Sequence, residues 1–147
     1  MPLEARLTLV FGLVALALLV GVVWKLSTGR ATRIRNGLQV DLLELGAVKN
    51  GVPVTAFGSR ITFLQFSSEF CSQCVQTARA LSELEKQSDD VLHIEVDLTN
   101  RLDLAQKYNI LQTPTTLVLD RRGIVKSRIG GAPKTATLEA EIGTFEI

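Results

Sequence analysis

Cysteine and histidine are scarce in this sequence, and their scarcity limits the classes of protein it can belong to. Among 147 residues there are two cysteines, Cys71 and Cys74, and one histidine, His93. A structural zinc site takes four ligands, so these three side chains do not make one, and we predict no metal. Because there are no further cysteines, we also predict no disulfide that serves only as a structural staple.

Acidic residues are missing from a long stretch near the amino terminus. Between Glu4 and Asp41 there is no Asp or Glu, while residues 1–37 hold five of the 16 Lys and Arg residues. A nucleic-acid-binding surface needs basic residues spread over a folded face with aromatic side chains among them, and that pattern is absent. We therefore expect no nucleic-acid partner. The basic cluster is typical of a juxtamembrane segment that meets anionic lipid headgroups.

Charged residues are absent from Leu7 to Trp24. As a helix these residues span roughly 27 Å, close to the thickness of the hydrocarbon core of a bilayer. A cleaved signal peptide is the alternative, but no Ala-x-Ala-like site follows Trp24 closely. The run is apolar all round, unlike the helix of a soluble core. We predict an anchor of residues 1–26, with residues 7–24 in the lipid bilayer and Trp24 at its interface.

Basic residues lie mostly on the carboxyl side of this helix. Lys25, Arg30, Arg33 and Arg35 follow it, and only Arg6 precedes it. The positive-inside rule therefore places the carboxyl side in the cytoplasm of a single-pass protein. The extracytoplasmic orientation is the alternative, because a single-span protein can depart from the rule.

The remainder divides into a linker and a domain. Residues 27–49 are predicted as a basic tether and linker, since Ser27 to Gly37 is polar and lacks periodicity. Residues 50–147 are predicted as one folded domain. Within it, residues 52–57 have the pattern of an edge strand, where a proline is tolerated.

The two cysteines lie where a predicted strand meets a predicted helix. Residues 61–66 form a β-branched and aromatic run, and apolar residues recur at helical spacing over about 71–87. The amino end of a helix favours an anion and lowers the pKa of a cysteine there. Cys71 would therefore attack disulfides as a thiolate. Cys74, one turn onward, would resolve the mixed disulfide.

The rest of the domain reads as alternating strands and helices. We predict a strand over 91–97, a helix over 101–108 capped by Thr99 or Asn100, a strand over 115–120, a turn at 121–123, a strand over 124–128 and a helix over 135–142. The order βαβαββα implies an α/β fold, with parallel crossovers first and an antiparallel hairpin last.

With the cysteine pair at this junction and this element order, residues 50–146 resemble the thioredoxin family. Thr113 and Pro114 open the third strand, where that family carries a cis-proline, and Gly130 follows the hairpin, where it has a glycine. The resemblance implies a thioredoxin-like fold, a central mixed sheet flanked by helices, here preceded by one transmembrane helix. The whole chain looks like the membrane-anchored thioredoxin-like proteins of bacteria.

The resemblance also implies roles for individual residues. Phe70 stands where the family has a tryptophan, and together with Thr113, Pro114 and Gly130 it would bind substrate. Gln65 replaces the buried aspartate that serves the family as a proton shuttle, and glutamine takes up no proton at neutral pH. His93 falls near the family's neighbouring lysine; it would form a proton relay with Gln65 or lie partly exposed on the other side of its strand.

We therefore predict a thiol–disulfide oxidoreductase of the bacterial cell membrane that reduces protein disulfides. Electrons would pass through the cysteines themselves, without a metal, flavin or nucleotide cofactor. Its partners would be protein thiols and disulfides and an electron-donating reductase or membrane redox protein. One alternative is a thioredoxin-fold interaction module whose redox pair is regulatory or vestigial. Another is an oxidase or isomerase on the outer face of the membrane.

Overall fold

The computed structural model describes residues 2–145 and begins with one long helix. This helix, α1, runs from Leu3 to Ser27, and none of its residues is buried against the rest of the protein. Leu and Ala, which favour helices, recur throughout it, and no proline interrupts it. Among residues 2–145, α1 is the one helix long and apolar enough to cross a membrane, and a signal sequence has the same two properties.

Short strands and helices follow α1. In chain order they are β1 (Ala31–Arg33), α2 (Leu42–Leu45), β2 (Val48–Lys49), β3 (Val52–Pro53), β4 (Ile61–Ser67), α3 (Ser72–Gln87), β5 (Val91–Asp97), α4 (Leu102–Lys107), β6 (Thr115–Asp120), β7 (Val125–Gly130) and α5 (Thr135–Thr144). From β4 onward the predicted order βαβαββα is confirmed.

Five strands form the central sheet in the order β1-β7-β6-β4-β5. β4 and β5 are parallel, because α3 crosses over between them, and the other neighbouring strands are antiparallel. Every residue of β4 is buried. A strand covered on both faces has few polar positions, which explains why the sequence pattern was clear there. The predicted mixed sheet is confirmed.

Helices cover both faces of this sheet. On one face Leu81 of α3 and Leu138 of α5 are buried with Phe63. On the other face Leu104 of α4 is buried with Phe66. Burying each such side chain contributes about 1.5–3 kcal/mol before the entropy cost of ordering it. The two apolar layers therefore hold the strands, and the loops at their ends, in one arrangement.

The linker predicted for residues 27–49 is in large part a piece of the folded domain. Ala31–Arg33 pairs with β7 and closes one edge of the central sheet. Val40, Leu45 and Ala47 are buried in the core. The folded domain therefore begins before residue 50, because backbone pairing with a sheet edge orders a polar segment that has no apolar periodicity.

The edge strand predicted for residues 52–57 is confirmed at Val52–Pro53, whereas residues 54–57 are not part of a strand. β3 pairs with β2 in a two-stranded ribbon separate from the central sheet, and the N–H of Val54 continues this contact to the carbonyl of Ala47. Asn50 and Gly51, between these strands, have φ of 52° and 79°. Two consecutive residues with positive φ make the tight turn of a hairpin. This turn folds β3 back onto β2.

The predicted cap of α4 is wrong. The residue before α4 is Arg101, and no side chain caps it. The hydroxyl of Thr99 instead donates to Asp97 and accepts a hydrogen bond from the backbone N–H of Glu69 at 3.0 Å. Thr99 therefore joins the loop after β5 to the loop after β4, a contact between segments that are distant in the sequence.

Replacing Gly37 with alanine is expected to destabilise the domain by about 1–3 kcal/mol. A Cβ on Gly37 would lie 1.7 Å from the backbone oxygen of Val125, so the segment docked along β7 would have to shift. Gly143 in α5 is the matched control, because a Cβ there has no neighbour within 4 Å. Alanine at Gly143 is expected to stabilise the helix by up to about 1 kcal/mol. Urea unfolding followed by circular dichroism compares the two; equal stabilities would contradict the close approach at Gly37.

Candidate active site

Cys71 lies at the amino end of α3, after the loop that leaves β4. It is the N-cap residue of the helix, and its sulfur accepts a hydrogen bond from the backbone N–H of Cys74 at 3.1 Å. The first N–H groups of a helix have no partner in a preceding turn and carry partial positive charge. This position therefore stabilises a thiolate on Cys71 once the sulfur is reduced, and the predicted strand-to-helix junction is confirmed.

The two cysteines are joined by a disulfide, and their Cα atoms are 5.2 Å apart. Cys74 is 3% exposed, whereas Cys71 is only partly buried. An incoming disulfide can therefore reach Cys71 far more readily than Cys74. Within residues 2–145, no three His, Cys, Asp or Glu side chains come together as a metal site.

The loop before β6 lies against the cysteine-bearing loop. The peptide bond between Thr113 and Pro114 is cis, as the family resemblance implied. The hydroxyl groups of Thr113 and Ser68 are hydrogen-bonded at 3.0 Å, and the carbonyl of Pro114 accepts from the N–H of Gly131 at 2.8 Å. These bonds join the carboxyl ends of β4 and β7 to the amino end of β6. We call this end of the strands the active-site edge of the sheet.

Two apolar side chains on these loops are exposed. Phe70 is 93% exposed and Leu111 is 88% exposed. Gly130 ends β7, and a Cβ on it would lie 2.6 Å from the side-chain nitrogen of Gln112, so a glycine leaves room for that side chain. The sequence predicted Phe70 and Gly130 and missed Leu111 and Gln112. The position of Leu111 and Gln112 just before Thr113 was the one feature of the sequence that could have identified them.

Gln65 is completely buried beneath the cysteine pair. Its side-chain nitrogen donates to the carbonyl oxygen of Cys74 at 2.9 Å. Its side-chain oxygen lies 3.0 Å from Nε2 of His93 and therefore accepts from that nitrogen. Nδ1 of His93 lies 3.3 Å from the hydroxyl of Ser82, which can donate to it. A continuous chain of neutral hydrogen-bonding groups thus leads from α3 at Cys74 back to α3 at Ser82.

His93 is 6% exposed, so the alternative that it lies partly exposed on the other side of its strand is wrong. Burial, and then the positive charge of Lys49, lower its pKa from 6.5 to about 4, although Glu85 acts in the opposite direction. His93 is therefore uncharged at pH 7. A cavity of about 230 Å³, lined in part by Lys49, Ser82 and His93, lies beside the imidazole.

The structure thus arranges the predicted site residues in two layers. Phe70, Cys71, Thr113, Pro114 and Gly130 lie at one edge of the sheet, on loops or strand ends. The other predicted residues, Gln65, Cys74 and His93, are buried behind this edge. One layer can meet a substrate, and the other can only act through α3.

Comparison with known proteins places the chain in a family. The Thioredoxin family profile matches residues 54–144. A thioredoxin of Bacillus subtilis (strain 168) is 31% identical over 80 residues, which are 54% of this chain and 77% of that protein. A thioredoxin of Streptomyces clavuligerus is 26% identical over 98 residues, which are 67% of this chain and 84% of that protein.

A solved structure supports the fold. The X-ray structure of Fasciola hepatica thioredoxin matches with a TM-score of 0.52 at 24% identity, over 60% of this chain and 84% of that one. At this identity the likeness concerns the fold alone. The family profile covers more than half of the chain and includes both cysteines, the cis-proline and four of the five strands of the central sheet. The chain therefore belongs to the thioredoxin family, as a thiol–disulfide oxidoreductase.

Proposed function

We propose that this protein is a membrane-tethered protein-disulfide reductase, anchored by residues 1–26 with its folded domain in the cytoplasm of a bacterial cell. The observation that carries the proposal is the contrast between a partly exposed Cys71 at a helix amino end and a buried Cys74 bonded to it. The length and composition of α1 support the anchor. The excess of Lys and Arg after α1 supports the cytoplasmic orientation.

The proposed reaction begins with both cysteines reduced. The Cys71 thiolate attacks one sulfur of a substrate disulfide, forms a mixed disulfide, and releases the other substrate sulfur as a thiolate that takes up a proton. Cys74 then loses its proton and attacks the sulfur of Cys71. This step releases the second substrate thiolate and forms the Cys71–Cys74 disulfide. Two electrons pass to the substrate, and an electron-donating reductase or membrane redox partner then supplies two electrons that reduce the Cys71–Cys74 disulfide again.

The substrate would bind across the layer that Phe70, Cys71, Thr113, Pro114 and Gly130 form. An extended segment would lie along Thr113 and Pro114 opposite Cys71, with Phe70 as an apolar contact on one side and Gly130 on the other. The exposure of Phe70 supports this arrangement, because a large aromatic side chain that is exposed to water is free to pack against a substrate.

Replacing Phe70 with alanine is expected to raise KM for a protein disulfide about tenfold, the loss of a contact worth about 1.4 kcal/mol. The rate with a small disulfide such as hydroxyethyl disulfide should change little, because that substrate does not reach past Cys71. Phe70→Trp keeps a large ring and is expected to restore KM. A KM for protein disulfides that is unchanged in Phe70→Ala would contradict the proposed substrate contact.

The buried layer would act on Cys74. We infer that Gln65 and His93 hold the carbonyl of Cys74, and with it the first turn of α3, in place of the family's carboxylate. Their proton-relay role is a prediction. With a pKa of about 4, His93 enters each step as the neutral imidazole near pH 7, so any relay would use its Nε2–H and the lone pair on Nδ1.

Membrane topology is tested by labelling cysteine in intact cells. In a Cys74→Ser variant, Cys71 is the one remaining thiol in the chain. A membrane-impermeant maleimide is expected to label Cys71 only after the cells are lysed. Strong labelling before lysis would contradict the cytoplasmic orientation and favour oxidative chemistry outside the cell.

A further inference from the structure

The residues that follow α1 contact the active-site edge of the sheet directly. The backbone N–H of Gly29 donates to the carbonyl of Gly130 at 2.9 Å. Thr28 packs over Gly131, because a Cβ built on that glycine would lie 2.4 Å from the Thr28 methyl carbon. The N–H of Gly131 in turn donates to Pro114. The end of the anchor is therefore two contacts away from the cis-proline.

The sheet register places the end of the anchor level with the cysteine loop. Ala31 lies opposite Ile129, next to Gly130, at the end of β7. Thr115 lies opposite both Gly130 and Phe66, near the end of β4 from which the cysteine loop leaves. Three steps between neighbouring strands, about 14 Å in all, separate β1 from β4. The anchor and the active site thus meet the same edge of the sheet.

The chain then runs away from this edge. β1 starts at the active-site edge, and by Gln39 the chain has reached Ile124, at the opposite end of β7. Arg33 is hydrogen-bonded to Thr144 at 2.8 Å and lies 3.7 Å from the buried carboxylate of Glu141. The segment after the anchor is therefore docked along its length, and the domain cannot swivel on it as it would on a flexible linker.

Little chain separates this edge from the lipid. Trp24 is the aromatic residue expected at the membrane interface, and its carbonyl accepts hydrogen bonds from Ser27 and Thr28. The helix rises only about 1.5 Å per residue, so Gly29 lies within roughly 10 Å of Trp24. The headgroup region on each side of a bilayer is about 5–8 Å deep. The active-site edge would therefore lie where the headgroup region meets the water.

We infer that the active site faces the bilayer and that its substrates are disulfides in the extramembrane loops of membrane proteins, close to the headgroups. The inference rests on the proposed function and names the substrate class of the same site. A membrane protein in the same bilayer would bring its disulfide to Cys71 at high effective concentration. A folded soluble protein would be hindered by the bilayer itself.

Depth-dependent fluorescence quenching tests the orientation. The full chain is placed in phosphatidylcholine–phosphatidylglycerol vesicles that contain a lipid with a nitroxide on its headgroup. Bimane on Cys71 of a Cys74→Ser variant should be quenched several-fold more than bimane on Arg121→Cys in a chain without the native cysteines. Arg121 is the control because it follows Asp120, at the far end of β6. Equal quenching, or stronger quenching at Arg121, would overturn the inference.

A spacer variant tests the substrate class. About twelve Gly and Ser residues inserted between Ser27 and Thr28 keep the contacts of Thr28 and Gly29 but allow the domain to move about 19 Å from the anchor. Reduction of insulin in solution, which the native chain carries out at a reduced rate, should then rise about tenfold, because the bilayer hinders access to Cys71 less. Reduction of hydroxyethyl disulfide should stay unchanged, since a small molecule reaches the site in either form.

The outcomes separate the inference from the proposed function. If the native chain and the spacer variant both reduce hydroxyethyl disulfide, and the spacer leaves insulin reduction unchanged, the inferred orientation is wrong. The proposed function as a disulfide reductase then still stands. If neither protein reduces any disulfide, the proposed function is wrong, and the substrate class inferred from it is also wrong.

Discussion

Replacing Cys71 with serine is expected to lower the rate of protein-disulfide reduction by about a thousandfold or more, as loss of the nucleophile does in other covalent catalysts. Cys71 is the partly exposed sulfur at the amino end of α3, and Cys74 is 3% exposed and cannot meet a substrate in its place. The measurement is insulin reduction by the full chain in lipid vesicles, with dithiothreitol as the electron donor.

Cys74→Ser is expected to behave differently. Cys71 still attacks the substrate, but no second sulfur releases it, so the mixed disulfide accumulates and is visible on a non-reducing gel. Gln76→Ala, an exposed change on the same helix, is the control and should keep full activity. Adducts that form on Cys71→Ser instead of Cys74→Ser would reverse the roles of the two cysteines. Adducts on neither, with a partner still retained, would favour the interaction-module alternative.

The folded domain is expected to lose about 3 kcal/mol of stability as the pH falls from about 6.5 to about 4, because of His93 alone. Burial lowers the pKa of His93 in the folded state to about 4, while the unfolded chain keeps the ordinary value of 6.5. Between these values the unfolded chain binds one more proton than the folded one. Stability therefore rises with pH in this window and is fully present above it.

The comparison that checks this result is His93→Gln, because the chain has no other histidine. Glutamine can still donate to Gln65 but does not titrate. Urea unfolding at pH 7, 5.5 and 4.5 should show a steeper loss for the wild type than for the variant. Carboxylates contribute to both proteins alike, so parallel curves would mean that His93 is not held neutral by burial.

The same variant decides the relay hypothesis. A histidine that exchanges protons with Cys74 near neutral pH would produce an inflection near pH 6.5 in the rate of mixed-disulfide resolution, and His93→Gln would remove it. With a pKa of about 4, we expect the two profiles to have the same shape between pH 5.5 and 8. A lower rate at every pH in the variant would mark His93 as a positioning residue for Cys74.

Much of this protein follows from local sequence. The run from Ile61 to Phe66 identifies β4, and the helical spacing that follows it identifies α3. A strand buried on both faces has a nearly continuous apolar run, whereas a helix buried on one face has apolar residues every three or four positions. The positions of the two cysteines in the sequence are enough to place them at the junction of β4 and α3. The absence of charge from Leu7 to Trp24 identifies α1 in the same way. Each of these patterns depends on neighbours within one element.

Only the tertiary structure showed what brings distant segments together. Ala31–Arg33 has no pattern of its own and becomes a strand because β7 offers an unpaired edge. Gln65 and His93 meet because parallel pairing of β4 and β5 places them on the face that α3 covers, and this burial keeps His93 neutral. The contact between Gly29 and Gly130, which sets the anchor beside the active site, continues the antiparallel pairing of β1 with β7. Backbone hydrogen bonds use groups common to nearly all residue types, so such contacts are difficult to predict from the sequence.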